Sequence, residues 1–372
     1  MFSFYLLWCL GYLVLHAWLS YQWPPKHPLK ARAPLPLKTS LIIPFRNESQ
    51  NAPRLALEIR KIQFPDLETI LVDDQSEDGS FEILSELLED VRGVRLLKSP
   101  GIGKKAALSH GISHSRGALI VTSDADCSFP ENWIEKLSRP FQHSAIQLVA
   151  GPVVASLRGN SVFGKFQQIE WLSILMLTQV SFLRKQPLMC SGANLAFRKK
   201  AFEEVGGYLG NEQVLSGDDE FLLKKMVSFY GPESCVYVPA REVLVATQAQ
   251  ASWTDLIRQR IRWAGKWKSH QSFSHASYAL LAFMSQGVWI GSLVVFVGGW
   301  QGLLFLLTIW GVKILAEKLS LGRVGLSLGQ RLEVKDYIFT SLIHPFYVLG
   351  VGLGTLFIKV KWKGRSQEDS LI

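Results

Sequence analysis

Apolar and polar positions divide the 372-residue chain into stretches of two kinds. Short apolar runs at residues 39–44, 68–72, 94–97 and 118–122 alternate with helix-period segments at residues 52–61, 81–88 and 104–113. Runs this short and this continuous read as strands covered on both faces, and the segments between them as crossover helices. The pattern therefore predicts an α/β domain built on a mostly parallel sheet with right-handed connections. Further on, residues 147–154 read as one strand and a helix opens near Pro130. Residues 162–183 read as a long apolar helix whose polar members are Gln167, Gln168, Glu170, Gln179 and, just beyond, Arg184. That composition suits a helix at the membrane interface, a cover over a site, or a core helix. A helix follows from Lys200, and a basic one spans residues 253–267 with Thr254 as its expected N-cap.

The second kind of stretch is longer. Residues 1–21 carry no charged side chain, and about 20 such residues match a bilayer core. No basic n-region precedes them and no small-residue cleavage site follows, so the segment reads as a retained anchor with Trp18, Tyr21 and Trp23 at its interface. Residues 277–297 and 302–312 form an apolar pair broken by Gly298-Gly299, read as a tight hairpin of two spans, and residues 337–358 form a further run containing His344-Pro345. The expected order is an anchor (1–23), a Pro- and Lys-rich linker (24–38), a soluble domain (39–268), a membrane region (269–358) and a basic tail (359–372).

Charge sharpens this order. The net charge of +9 is concentrated beside the spans, with Lys26, Lys30, Arg32 and Lys38 after the first and Arg258, Arg260, Arg262, Lys266 and Lys268 before the second. Anionic lipid and the positive-inside rule account for both clusters, which places the domain in the cytoplasm against the plasma (inner) membrane and leaves nucleic acid out as a partner. Three spans after the domain would put the basic tail outside, so the run 337–358 is expected to re-enter or bend at Pro345. Cys9, Cys127, Cys190 and Cys235 lack metal-ligand spacing and are assigned no chemistry.

Candidate chemistry gathers in the loops. Residues 45–48, 73–76, 101–105 and 124–127 all lie at the carboxyl edge expected of the sheet, where open α/β sheets bind ligands. Asp124 and Asp126 can share one Mg²⁺ or Mn²⁺, which takes one or two carboxylates plus substrate phosphate oxygens. Asp73 and Asp74 can accept hydrogen bonds from a base or a ribose. Glycines 101 and 103 with Lys104 and Lys105 suit a phosphate at a helix start. Each loop also has a plainer reading: a turn, a helix start, or a cap such as Asp78 and Ser80 would give the helix at 81–88. Asp218, Asp219 and Glu220 open another helix, where the dipole favours acids, but one cap does not need three. Convergence of the loops at one edge is what argues for a site.

In order along the chain, Pro44-Phe45-Arg46-Asn47-Glu48, residues 72–80 (VDDQSEDGS), Asp124-Ala125-Asp126, Ser191-Gly192-Ala193-Asn194, Gly217-Asp218-Asp219 and Gln259-Arg260-Ile261-Arg262-Trp263 resemble the motif set of the membrane-bound family 2 glycosyltransferases. That family includes cellulose, hyaluronan and poly-N-acetylglucosamine synthases and ceramide glucosyltransferases. The resemblance covers residues 39–268. It implies a GT-A (nucleotide-diphospho-sugar transferase, Rossmann-like) domain between transmembrane helices, and a metal-dependent inverting transferase.

The resemblance also implies roles. Asp73 or Asp74 would meet the base or ribose, near Arg46, Asn47 and Glu48. Asp124 and Asp126 would hold the cation, and Asp219, or else Asp218, would be the general base. Gln259 and Arg262 would close over the donor, and Trp263 would stack near the acceptor. With the lysines of the glycine loop, the expected substrate-binding set is Pro44, Arg46, Asn47, Glu48, Asp73, Asp74, Lys104, Lys105, Asp124, Gly192, Asn194, Gln259, Arg262 and Trp263. The implied donor is a nucleotide-diphosphate sugar, UDP-linked, and the acceptor a membrane lipid. A processive synthase acting on a growing glycan is the alternative within the class, and a catalytically silent membrane subunit the alternative outside it.

Overall fold

The computed structural model describes residues 1–25, 37–156, 160–211, 217–265 and 273–358. Lys26, Lys30 and Arg32 of the linker, Lys266 and Lys268, and the basic tail lie outside the described residues. In chain order the elements are α1 (Phe2–Gln22), β1 (Thr39–Phe45), α2 (Ala52–Lys61), β2 (Glu68–Asp73), α3 (Ser80–Leu88), β3 (Val94–Lys98), α4 (Lys104–Ser113), β4 (Leu119–Thr122), α5 (Trp133–Ser138), β5 (Leu148–Ala150), β6 (Val153–Ser156), α6 (Val162–Leu183), β7 (Leu195–Arg198), α7 (Lys199–Glu204), α8 (Asp218–Tyr230), β8 (Cys235–Tyr237), β9 (Val245–Gln248), α9 (Trp253–Ala264), α10 (Phe273–Gly291), α11 (Gly299–Ser327) and α12 (Val334–Phe357). They cluster into two compact units. A membrane unit takes Met1–Pro25, Leu157–Val180 and Ala249–Val360; a sheet unit is built on Lys26–Ser156 and Ser181–Gln248.

In the sheet unit the strands run in the order β3-β2-β1-β4-β7-β5-β8. The first four are parallel, β7 is antiparallel to both β4 and β5, and β8 is parallel to β5. Every residue of β1 and β4 is buried, as continuous apolar strands between helices must be. Register sets Phe45 opposite Asp73 and Ile42 opposite Thr122, so β1, β2 and β4 deliver their following loops to one edge.

The single strand expected at 147–154 is two. β5 stays in the main sheet, while β6 pairs with β9 in a second, two-stranded sheet. The break falls at Gly151-Pro152. Proline has no amide to donate, and a side chain at position 151 would lie 2.3 Å from Asn194 Nδ2. The helix expected near Pro130 begins at Trp133.

Among the described residues, three helical segments of the membrane unit are long and apolar enough to cross a bilayer: Phe2–Gln22, Leu280–Ser327 and Val334–Phe357. These are the helices expected of an integral membrane protein. The 280–327 segment is broken where expected, by a 3₁₀ turn (Ser292–Gly298) and Gly299 at φ +63°, a conformation that favours glycine. Helix α11 then runs to Ser327, well past the expected end at Val312. Its extra turns carry Lys313 and Glu317, charges that hid the helix from a hydropathy reading because they face inward. Lys313 is fully buried and pairs with Glu317 at 2.6 Å. Glu317 also accepts from Tyr12 at 2.6 Å and from Ser341.

The same lysine explains a second departure. Helix α12 runs unbroken through Pro345 instead of turning back there. A proline deprives the carbonyl four residues earlier of its amide partner. Here that carbonyl belongs to Ser341, and Lys313 Nζ donates to it at 3.0 Å. The buried ammonium supplies the hydrogen bond that the proline removes.

Helix α9 starts at Ser252, whose hydroxyl accepts from the Asp255 amide at 3.2 Å, so Ser252 and not Thr254 is the N-cap. Its Arg260 forks onto Glu170 of α6, with Nε 2.8 Å from Oε1 and Nη2 2.6 Å from Oε2. Tyr347 of α12 donates to the same carboxylate at 2.7 Å, and the guanidinium stacks 4.2 Å from the Trp263 ring centroid.

Candidate active site

The first two loops at the sheet edge are tied to one another. Arg46 is buried and reaches from β1 to the β2 loop, donating to the carbonyls of Asp74 and Gln75 at 2.8 Å each. Asn47, at φ +50°, accepts from the Glu77 amide at 2.9 Å, while its own amide donates to Ser76 Oγ. The Glu48 amide donates to Ser80 Oγ at 2.7 Å. Asp73 accepts from the Ser76 amide at 3.0 Å, closing its own turn, and Asp78 accepts from the Ser80 amide at 3.1 Å, although Gly79, not Asp78 or Ser80, is the N-cap of α3. Asp74 is 1% exposed and accepts from the Gly103 amide at 2.7 Å, which fastens the glycine loop beside it. Pro44 is buried in β1 opposite Val72. These residues set the shape of the edge.

The acids gather around Lys104. Its ammonium lies 2.6 Å from Asp124 Oδ1 and 3.5 Å from Asp218 Oδ2. Burial works against the ammonium, but Asp124 and then Asp218 outweigh it and hold the amine well above the usual lysine range. Asp219, the next residue of α8, accepts from the Gly192 amide at 2.9 Å through Oδ2 and from the Glu220 amide at 2.8 Å through Oδ1.

Gly192 lies on the other side of the cluster. Its carbonyl accepts from Thr122 Oγ1 and the Ala193 carbonyl from Ser123 Oγ, both at 2.7 Å, so the end of β4 holds this turn in place. A Cβ at position 192 would sit 2.8 Å from Asp218 Oδ2 and 3.5 Å from Lys104 Nζ. A side chain there would force the Asp218 carboxylate or the turn to shift.

Asp126 is held apart from that bridge. Thr247 Oγ1 donates to its Oδ2 at 2.9 Å, and Arg54 holds its backbone carbonyl at 3.1 Å. Burial, and then the neighbouring Asp124 carboxylate, push the Asp126 carboxyl up from its usual range, against the Thr247 hydroxyl, which favours the charged form. A recessed carboxylate destabilised by a second carboxylate is what a hard divalent cation relieves. Among the described residues no three His, Cys, Asp or Glu side chains surround one point. Two carboxylates completed by phosphate oxygens is the donor set that Mg²⁺ or Mn²⁺ takes in nucleotide sites, so the residues present fit such an ion.

Lys105 and Asn194 have partners within the fold. Lys105 turns away from the cluster, donating to the Asn211 carbonyl at 2.5 Å and lying over the Phe221 ring. Asn194 is fully buried, donates to the carbonyls of Pro152 and Val243 and accepts from Trp133 Nε1 at 2.8 Å, so it braces the turn behind Gly192. Gln259, Arg262 and Trp263 lie on α9 of the membrane unit. Thr247, which sequence reading missed, lies 121 residues from Asp126 and carries no motif.

Residues 40–206, which include the four edge loops and the Gly192 turn, match the model of a protein family described as glycosyl transferase family 2. These residues are a family 2 glycosyltransferase domain. Asp218, Asp219 and α9 lie beyond the matched stretch. A "Probable glycosyltransferase YdaM" of Bacillus subtilis is 26% identical over 67% of this chain and 57% of its own length. A beta-monoglucosyldiacylglycerol synthase of Trichormus variabilis is 24% identical over 64% of this chain and 51% of its own. The chain thus spans a little over half the length of these curated relatives. Among solved structures, the mannosyltransferase PcManGT of Pyrobaculum calidifontis, in complex with GDP-Man and Mn²⁺, superposes with a TM-score of 0.55 at 17% identity, over 96% of this chain and 98% of that one. That likeness establishes the GT-A fold expected from the motifs.

Proposed function

We propose that the protein transfers a sugar from a nucleoside diphosphate sugar to a membrane lipid by a single displacement with inversion. The observation that carries this reading is the convergence of Asp124, at the edge of the family 2 domain, with Asp218 and Asp219 of α8 around Gly192 and Lys104, Asp126 lying beside Asp124. Asp219 is assigned as the general base. Hydrogen bonds from the Gly192 and Glu220 amides orient its carboxylate beside the Gly192 turn. As that hydroxyl attacks the anomeric carbon its proton passes to Asp219, and the nucleoside diphosphate departs.

A divalent cation held by Asp124 and Asp126 would neutralise the departing diphosphate. A single displacement at the anomeric carbon inverts it, so an α-linked donor yields a β-linked product. The membrane helices support a lipid acceptor, and so does the relative named for glucosyldiacylglycerol synthesis. Basic residues beside the spans favour the cytoplasmic side for the domain. The motif resemblance favours a UDP-sugar, whereas the fold neighbour was solved with GDP-Man.

The test is incubation of membranes containing the full chain with a panel of labelled UDP- and GDP-sugars, followed by organic extraction. Label in the lipid phase, lost in Asp219→Asn, is the expected result. Label confined to insoluble polymer would replace the lipid acceptor with a growing glycan. No transfer from any donor would overturn the reading.

A further inference from the structure

Lys104 stands in an unusual place. It is the first residue of α4, where the helix dipole disfavours a cation, and it follows Gly103, whose amide is anchored by Asp74 at 2.7 Å. The anchored loop aims the side chain at the acid cluster, where its ammonium takes Asp124 Oδ1 at 2.6 Å and reaches Asp218 at 3.5 Å. Gly192 leaves the space that the bridge to Asp218 needs. Asp126 has no share in this bridge and is steadied by Thr247. The two carboxylates of one triplet are thus treated differently, one already neutralised by an internal cation and the other not.

We propose that Lys104 is an internal counter-cation that closes Asp124 to a divalent ion until a diphosphate arrives to take the ammonium, so that metal and nucleotide load together. The inference rests on the metal-assisted transfer proposed above and adds an order to it. With Lys104 in place, a lone divalent ion must break a close ion pair and then sit beside a like charge. A diphosphate removes both obstacles, because its oxygens accept the ammonium and complete the ion's coordination. Lys104 therefore moves its charge from carboxylate to phosphate, and its bridge to Asp218 is released in the same event.

The experiment measures Mn²⁺ binding to the full chain in detergent from the electron paramagnetic resonance signal of free Mn²⁺, without nucleotide and with saturating GDP or UDP. Lys104→Met should bind Mn²⁺ alone about tenfold more tightly than the wild type, the scale expected for freeing one close, half-buried carboxylate. Lys104→Arg keeps the charge and should bind Mn²⁺ alone as weakly as the wild type. With Mn²⁺ saturating, Lys104→Met should bind the diphosphate more weakly. Lys104→Gln serves as a second neutral variant, and thermal melting verifies the fold of each. If the neutral variants bind Mn²⁺ alone no better than the wild type, while all bind it with nucleotide, the role of Lys104 is overturned and the metal site stands. If no chain binds Mn²⁺ even with nucleotide, the metal-assisted reading itself falls, and this inference with it.

Discussion

Asp219→Asn separates the chemical role proposed for this carboxylate from its structural one. In the wild type its two oxygens each accept a backbone amide, from Gly192 at 2.9 Å and from Glu220 at 2.8 Å. Asparagine keeps one oxygen, so whichever way the amide turns, one backbone N–H faces an NH₂ group instead of an acceptor. A hydrogen bond to a charged group contributes about 1.5–3 kcal/mol, and that is the expected loss of stability. At roughly 2–4 °C per kcal/mol for a domain of this size, the melting temperature should fall by about 3–12 °C.

Removal of a positioned base should lower kcat further, by about 10²- to 10⁴-fold. Nucleoside diphosphate affinity, measured by calorimetry with Mn²⁺, should change by only about threefold, because the Asp124 and Asp126 carboxylates are untouched. Transfer is followed with the labelled donor that marks the lipid phase of wild-type membranes. A variant that melts lower but turns over within about threefold of the wild type would refute Asp219 as base and leave it a brace for the Gly192 turn.

Two further perturbations test the surroundings. Gly192→Ala places a methyl group 2.8 Å from Asp218 Oδ2, so the carboxylates or the turn must shift by several tenths of an ångström; kcat should fall by about 10- to 100-fold at nearly unchanged melting temperature, and wild-type kcat would contradict the close approach. In the membrane unit, Lys313→Met leaves Glu317 buried without its counter-charge and the Ser341 carbonyl without a donor. It should cost about 3–5 kcal/mol in detergent melts, with partial recovery on adding Glu317→Gln or Pro345→Ala, and an unchanged melt would contradict the buried pairing.

Much of the frame was legible because it follows from local pattern. The strands β1 to β4 are short apolar runs between turn signals, and their order alone sends loops 45–48, 73–76, 101–105 and 124–127 to one edge. What the pattern could not carry was partnership at a distance. Asp73, Asp74, Arg46 and Asn194 stand at or beside strand ends in the sequence, and only the structure shows that they also brace the edge, through the Ser76 and Gly103 amides and the carbonyls of Asp74, Gln75, Pro152 and Val243. Thr247 and Glu170 act on Asp126 and Arg260 only through the fold. The extra length of α11 was hidden for a related reason, since a hydropathy reading counts Lys313 and Glu317 as exposed charges when each neutralises the other inside the helix bundle.

The division between bracing and reacting residues also bears on how the site can work. The edge loops are fixed by hydrogen bonds to backbone groups. Lys104, Asp124 and Asp218 are instead held by charge, through a bridge of 2.6 and 3.5 Å that a diphosphate or a divalent ion can exchange. The transfer proposed above, which binds a highly charged donor and releases a charged product, would need both kinds of contact. On that proposal the backbone contacts would position Asp219 and Gly192, and the exchangeable bridge would let the charge of the cluster follow the charge of its ligand. On this argument the residues to vary for affinity are Lys104 and Asp124, whereas Gly192 and Asp219 should move kcat, and a variant series that reversed this split would show that the bracing contacts, not the charges, govern donor binding.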